Sequence, residues 1–381
     1  MADPAGIHRL GQLDSLRGVA AFSVVLLHFY ELWIGQTPQL PRWERRLLFV
    51  LHPFYSGFSA VILFFVLSGF VLSLPYLRGK EQPYTNFILR RILRIYGPYL
   101  AALTLALIGV AVLHNSSHRV NWSETMWSAQ VDGRLVVQHI LFLGEYDWTR
   151  YDFILWSLVQ EMRVSLLFPI IAWLIIRLGT AFSLAVAIVI TTIAYFIEPA
   201  GYSQREWISF TDTTYIIAFF IAGIVLASRQ AAIQQWWNSL LTQWRVLFAV
   251  ASLALYSYVG DLVSPRLEKP ILGHLINSGQ HRILENELVL LGSIGLIILA
   301  ISAARVRHLL SARPIRFLGR ISYSLYLIHP IVLLTLALTI GDRIPLSALF
   351  AVYLFAALLF SWIFCILIEE RFITWSRKVR V

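Results

Sequence analysis

Leu16-Arg-Gly-Val-Ala-Ala-Phe-Ser-Val-Val-Leu-Leu-His28-Phe-Tyr-Glu-Leu-Trp-Ile34 is the first long apolar run of the chain. At 1.5 Å per residue a helix of this length crosses about 30 Å, the thickness of a bilayer's hydrocarbon core. Arg17 and His28 are among the ionisable residues that interrupt it. An eleven-residue step at 100° per residue returns to within about 20° of its start, so both side chains lie on one helix face, ~16 Å apart along the axis. Ionisable groups at membrane depth are expensive and usually face a bundle interior or a water-filled cavity, which makes the pair a functional-site candidate. The alternative has Arg17 snorkelling to the interface and His28 as a satisfied core residue.

Further runs of spanning length fall near 54–77, 95–113, 153–177, 181–198, 212–228, 245–260, 285–303, 318–339 and 345–368. With 58% hydrophobic residues and a mean hydropathy of +0.70, the chain reads as an all-α polytopic membrane protein of about ten helices. Nothing in its composition separates a soluble domain from the membrane part, so 1–381 reads as a single integral membrane domain with no appended soluble domain. The 140–143 stretch suits an interfacial or re-entrant piece.

In a soluble protein a net charge of +10 would suggest nucleic acid; here the cations sort by side of the membrane. With the N-terminus inside, nineteen Lys and Arg residues fall on cytoplasmic segments and eleven on outer ones, which places both termini in the cytoplasm. The single cysteine, Cys365, lies in the last apolar run and excludes a disulfide framework. The first run is longer than a signal-peptide core and reads as an uncleaved anchor. Asn115-Ser-Ser117 and Asn121-Trp-Ser123 match a glycosylation pattern too short to carry weight.

Three more constellations carry polar chemistry. The run Phe87-Ile-Leu-Arg-Arg-Ile-Leu-Arg-Ile-Tyr-Gly-Pro98 supplies Arg90, Arg91 and Arg94. On a regular helix Arg94 shares a face with Arg90 and Arg91, a guanidinium arrangement suited to phosphate or, alternatively, to anchoring anionic lipid. Trp156-Ser-Leu-Val-Gln-Glu-Met-Arg-Val-Ser-Leu-Leu-Phe-Pro169 puts Ser157 and Glu161 on one face and Arg163 about 200° away, so Arg163 needs a partner elsewhere. Glu161 suits acid–base work, or a structural pair with an arginine. Leu318-Gly-Arg-Ile-Ser-Tyr-Ser-Leu-Tyr-Leu-Ile-His-Pro330 sets Ser322, Tyr326 and His329 in a polar stripe that suits helix packing or donation to a substrate carbonyl. Ser68 and Gly69, in Phe64-Phe-Val-Leu-Ser-Gly-Phe70, permit close helix approach. No metal-ligand spacing, nucleophile elbow or nucleotide loop is present in the sequence.

Taken in order, Leu13-Asp-Ser-Leu-Arg-Gly-Val-Ala-Ala with His28 following, Phe64–Phe70, Arg91-Ile-Leu-Arg94, Trp156–Glu161 and the run ending at His329 resemble the acyltransferase-3 family of integral membrane O-acyltransferases. The resemblance spans most of the chain. It departs at Gly97, which separates Tyr96 from Pro98, and at Met162–Ser165. It implies a histidine essential for acyl transfer, a cytoplasmic acyl-CoA co-substrate with acetyl-CoA as the default, no bound cofactor, and a carbohydrate or glycolipid hydroxyl as acceptor in a bacterial inner membrane. Catalysis then falls to His28, with Arg17 and Glu161 supporting, acyl-CoA recognition to Arg90, Arg91 and Arg94, and further support to Ser157, Tyr326 and His329. Two other classes fit the buried charges: a proton- or anion-coupled transporter, and a non-catalytic accessory protein of polysaccharide export.

Overall fold

The computed structural model describes residues 10–36, 40–116, 126–197, 209–267 and 278–379, and these are helical throughout their regular parts. In chain order the helices are α1 (Gly11–Gln36), α2 (Arg42–Leu51), α3 (Gly57–Leu77), α4 (Tyr84–Arg91), α5 (Gly97–Leu113), α6 (Gly133–Leu141), α7 (Leu155–Ile197), α8 (Phe210–Ser228), α9 (Gln230–Ser239), α10 (Thr242–Leu267), α11 (Ser278–Ser302), α12 (Ala304–Leu310), α13 (Arg313–Ile340), α14 (Leu346–Phe364) and α15 (Glu370–Lys378). Single π turns, Ile92–Tyr96 and Cys365–Glu369, join α4 to α5 and α14 to α15. The short helix α6 ends at Leu141, so the 140–143 stretch straddles its C-terminal end. The second glycosylation match lies outside the described residues.

Eight of the described helical segments are long and apolar enough to cross a membrane. One of them, α7, contains Gly179 at φ 82°, ψ 175°, a conformation open to glycine and strained for other residues. There the hydroxyl of Ser183 reaches the carbonyl of Ile175 at 3.4 Å, where a continuous helix would hold those residues about 12 Å apart. Partner residues between the first half of α7 and α8 advance together: Gln160 and Arg163 both bond Thr213, at separations of 53 and 50 residues, and Thr180 bonds Arg229 at 49. The two helices therefore run parallel, and the chain must recross between them. The segment after Gly179 makes that crossing, so α7 holds two of the expected spans. Helix α10 falls on the short 245–260 run and packs antiparallel to α11, with Gly292 against the backbone of Tyr256 and Gly295 against Ser252.

A close backbone contact joins the first and ninth crossings of the bundle. A Cβ on Gly18 would lie 2.3 Å from the backbone nitrogen of Gly319, and one on Gly319 would lie 2.8 Å from the carbonyl oxygen of Asp14. Such approach needs glycine on both helices, and lipid supplies no hydrophobic force to replace the packing. The same device joins α3 to α8, where Gly69 and Gly223 meet the backbones of Phe220 and Val66. Large apolar side chains such as Val112, Phe196 and Phe355 cover the outside, as a hydrocarbon solvent requires.

Substituting Gly18→Ala should lower stability by about 1–3 kcal/mol, because backbone atoms on both helices must move apart. Thermal unfolding in detergent reads this as a lower midpoint. Gly133→Ala, whose methyl group meets nothing within 4 Å, should leave the midpoint unchanged. Equal midpoints for the two variants would remove the crossing as a source of stability.

Candidate active site

Ten residues beyond the Gly18·Gly319 contact, on both helices, two histidines meet. The rings of His28 and His329 stack with centroids 5.4 Å apart and planes 15° from parallel. Equal steps on α1 and α13 mean that the helices run parallel and keep their register from the crossing upward. Phe153 presents its edge to His28 at 4.6 Å.

The hydrogen bonds assign the tautomers. His28 Nδ1 lies 2.7 Å from Glu31 Oε2; a carboxylate only accepts, so Nδ1 carries the proton and the imidazole's basic lone pair sits on Nε2. His329 Nδ1 lies 2.9 Å from the carbonyl of Leu325, so its lone pair is on Nε2 too. That atom is fully buried and has no partner among the described residues.

The walls come from α3 and α7. Tyr326 and Ser157 share a hydrogen bond of 2.8 Å between α13 and α7, and Phe64 stands edge-on to Tyr326 at 5.7 Å. Just before α7, Asp152 is completely buried. One of its oxygens accepts from the Ile154 amide at 3.4 Å and the other has no partner among the described residues. Burial pushes its carboxyl well above the usual carboxylate range. Nearby, burial lowers His139 and pushes the Tyr146 phenol up to about 12. Burial thus favours the neutral forms of these three groups.

A second polar layer lies about three helical turns away, at the level of Arg17. Arg17 pairs with Asp14 on its own helix at 3.5 Å. Glu161 accepts from Arg91 at 2.8 Å and from Ser68 at 3.1 Å, so its bonds go to an arginine and a serine rather than to His28. Arg91 also donates to Ser165 from Nε and Nη2 at 3.2 and 2.9 Å. Of the three arginines expected to share a face, Arg91 is buried and Arg94 exposed, with a π turn beginning at Ile92 between them. Arg90 turns away to Gln82 and the Val379 carbonyl, at 2.7 and 3.0 Å. Gly97 follows that turn because any Cβ there would meet the Phe372 ring at 2.4 Å.

Arg163, expected to find its partner away from Glu161, donates to the carbonyls of Leu143 and Gly144 at 3.0 and 2.8 Å and lies over the Phe210 ring. It fastens the 142–144 loop to α7. Glu31 was missed in the sequence reading, although its three-residue spacing from His28 was the signal that could have found it. Phe153 carried no such signal, since it reaches His28 only through tertiary packing. Among the described residues no cluster of His, Cys, Asp and Glu is arranged to hold a metal.

The family described as "Acyltransferase domain" matches residues 10–366. An O-acetyltransferase, PaAT-1 of Phomopsis amygdali, is similar at 25% identity over 387 residues, covering 88% of this chain and 75% of that protein. No solved structure matches.

Because Arg91 and Glu161 are coupled in a largely buried pair, removing one strands the other. Arg91→Met and Glu161→Gln should each destabilise by about 3–5 kcal/mol, and the double variant should recover much of that loss. Unfolding midpoints of the four proteins in detergent measure the coupling. Losses that simply add would show the two residues acting separately.

Proposed function

The chain belongs to the acyltransferase-3 family, and on that premise we propose that it transfers an acetyl group from cytoplasmic acetyl-CoA to a hydroxyl of a carbohydrate or lipid-linked glycan, with His28 as the general base. The observation that carries this reading is the His28–Glu31 contact of 2.7 Å. An alcohol is a poor nucleophile at neutral pH, and an imidazole whose basic lone pair sits on Nε2 suits the proton transfer. Glu31 holds the imidazole with its proton on Nδ1 and favours the imidazolium that forms, a role a carboxylate plays in other histidine-based acyl transfer.

Each proton has a place. His28 Nε2 takes the proton of the acceptor hydroxyl as its oxygen attacks the thioester carbonyl. The tetrahedral adduct collapses, the C–S bond breaks, and the thiolate of CoA receives that proton from Nε2. A second route acylates His28 itself before the acceptor arrives, and both end in the same products. Arg17 lies about 16 Å below His28 along α1, the depth a thioester has to climb from the cytoplasmic level. Of the three cations assigned to acyl-CoA, Arg94 is the exposed one, and we assign it the phosphates. Arg91 with Glu161 then positions the helices around the donor, and Tyr326 with Ser157 shapes the pocket wall. The partly exposed aromatic pair Trp148 and Trp156, 6.2 Å apart, supports a sugar as acceptor, since sugar rings stack on such faces.

With labelled acetyl-CoA and a panel of sugars, His28→Ala should lose at least about a hundredfold in kcat while keeping the wild-type unfolding midpoint. Glu31→Gln should lose about tenfold or more, with KM for acetyl-CoA unchanged. Activity above a tenth of wild type in His28→Ala would exclude His28 as the base. Protein that consumes no thioester with any acceptor, yet moves protons or anions into vesicles, would favour the transporter.

The donor's side depends on topology. In a Cys365→Ser background, cysteine at Asn115 should react with an impermeant reagent from outside, and cysteine at the exposed Lys378 should react only after permeabilisation. Labelling of position 378 in sealed cells would place the C-terminus outside.

A further inference from the structure

Helix α2 follows α1 at the end of the bundle that holds His28, the end assigned by charge to the outer face. Three of the eleven cations on that face, Arg42, Arg45 and Arg46, fall within five residues of it. Basic clusters are uncommon on outer segments. The helix is fixed beside the active-site end of α1: Leu48 packs with Leu27 and Tyr55, and the Tyr55 hydroxyl donates to the Leu48 carbonyl at 2.9 Å. Phe49 meets Tyr258 at 4.9 Å on its other flank.

At 100° per residue the three arginines occupy an arc of about 100°, with Phe49 among them and Glu44 on the far side. All three are exposed, and none of their side chains has an ion-pair or hydrogen-bond partner among the described residues. They line an open recess of ≈ 560 Å³ with Phe49 and Val50. The neighbouring arc holds Trp43, Leu47 and Val50, exposed by 65%, 49% and 65%, and Phe54, exposed by 65%, continues it beyond the helix end. An apolar strip beside a cationic one describes a helix lying in the membrane interface.

We infer that the Arg42–Arg45–Arg46 recess is a binding site for the phosphate of a lipid in the outer leaflet, with the acyl chains lying along Trp43, Leu47, Val50 and Phe54. Guanidinium forks match phosphate oxygens in bidentate geometry. The adjoining apolar strip selects a lipid over a free anion, because the tails have a surface to continue along. This site is separate from the acyl-transfer chemistry and does not depend on it.

The test uses the full chain in phosphatidylcholine nanodiscs containing a minor fraction of phosphatidylglycerol, with bound lipid counted by native mass spectrometry. Wild-type protein should carry phosphatidylglycerol well above its bulk fraction. Arg45→Gln and Arg46→Gln should each weaken that binding about fivefold, and the triple Arg42→Gln, Arg45→Gln, Arg46→Gln variant should fall to the bulk ratio. Each substitution is on the exposed arc, so unfolding midpoints should stay at the wild-type value; for a variant that shifts, Arg→Ala at the same position replaces it. Undiminished phosphatidylglycerol on the triple variant would overturn the inference. So would complete displacement of the lipid by inorganic phosphate at equal concentration, which would leave a free-anion site only.

Discussion

Backbone contact between α1 and α13 at Gly18 and Gly319 sets the geometry of everything above and below it. In lipid, helices gain little from burying apolar side chains, so packing distance decides which pairs hold together. Two glycines let the helices approach until side chains on either flank have no choice of neighbour. Ten residues further, that constraint puts His28 on His329; at the crossing itself, it sets Arg17 beside the ionic layer of Arg91 and Glu161. A looser crossing would let the helices rotate, and the stacked imidazoles would lose register first.

The two polar layers differ in chemistry as well as depth. The lower one is a set of charges held by one another: Arg91 with Glu161 and the hydroxyls of Ser68 and Ser165, Arg17 with Asp14. The upper one holds the buried carboxyl of Asp152, two stacked imidazoles and tyrosine hydroxyls, and several of its hydrogen-bonding atoms have no partner among the described residues. Unpartnered buried polar atoms are costly in a finished fold and are retained where a substrate or water completes them.

The two π turns lie at the end of the bundle that the charge distribution assigns to the cytoplasm. One lies between Arg91 and Arg94, and at the end of the other Glu369 accepts from the backbone amide and hydroxyl of Ser324. Each takes more residues per turn than a regular helix, so side chains beyond it fall out of the α-helical register. Such turns recur at functional sites because they re-aim a few side chains without breaking the helix.

Much of the molecule was legible in the chain. Hydropathy and run length gave the membrane class and the crossings, because a bilayer of fixed thickness imposes a fixed helix length. The eleven-residue step gave Arg17 and His28 a common face, because helical periodicity is a local property; the same rule exposes Glu31, three residues from His28. Partner choice was not local. Whether Glu161 served a histidine or an arginine, which arginine of the cluster stayed exposed, and that Phe153 and His329 border His28 all depended on contacts between residues tens to hundreds apart in sequence. Helix crossings fix those contacts, and the crossings are set by backbone approach at a few glycines and by turns of irregular pitch. The sequence by itself determined what each helix could offer; only the tertiary structure decided which helix received it.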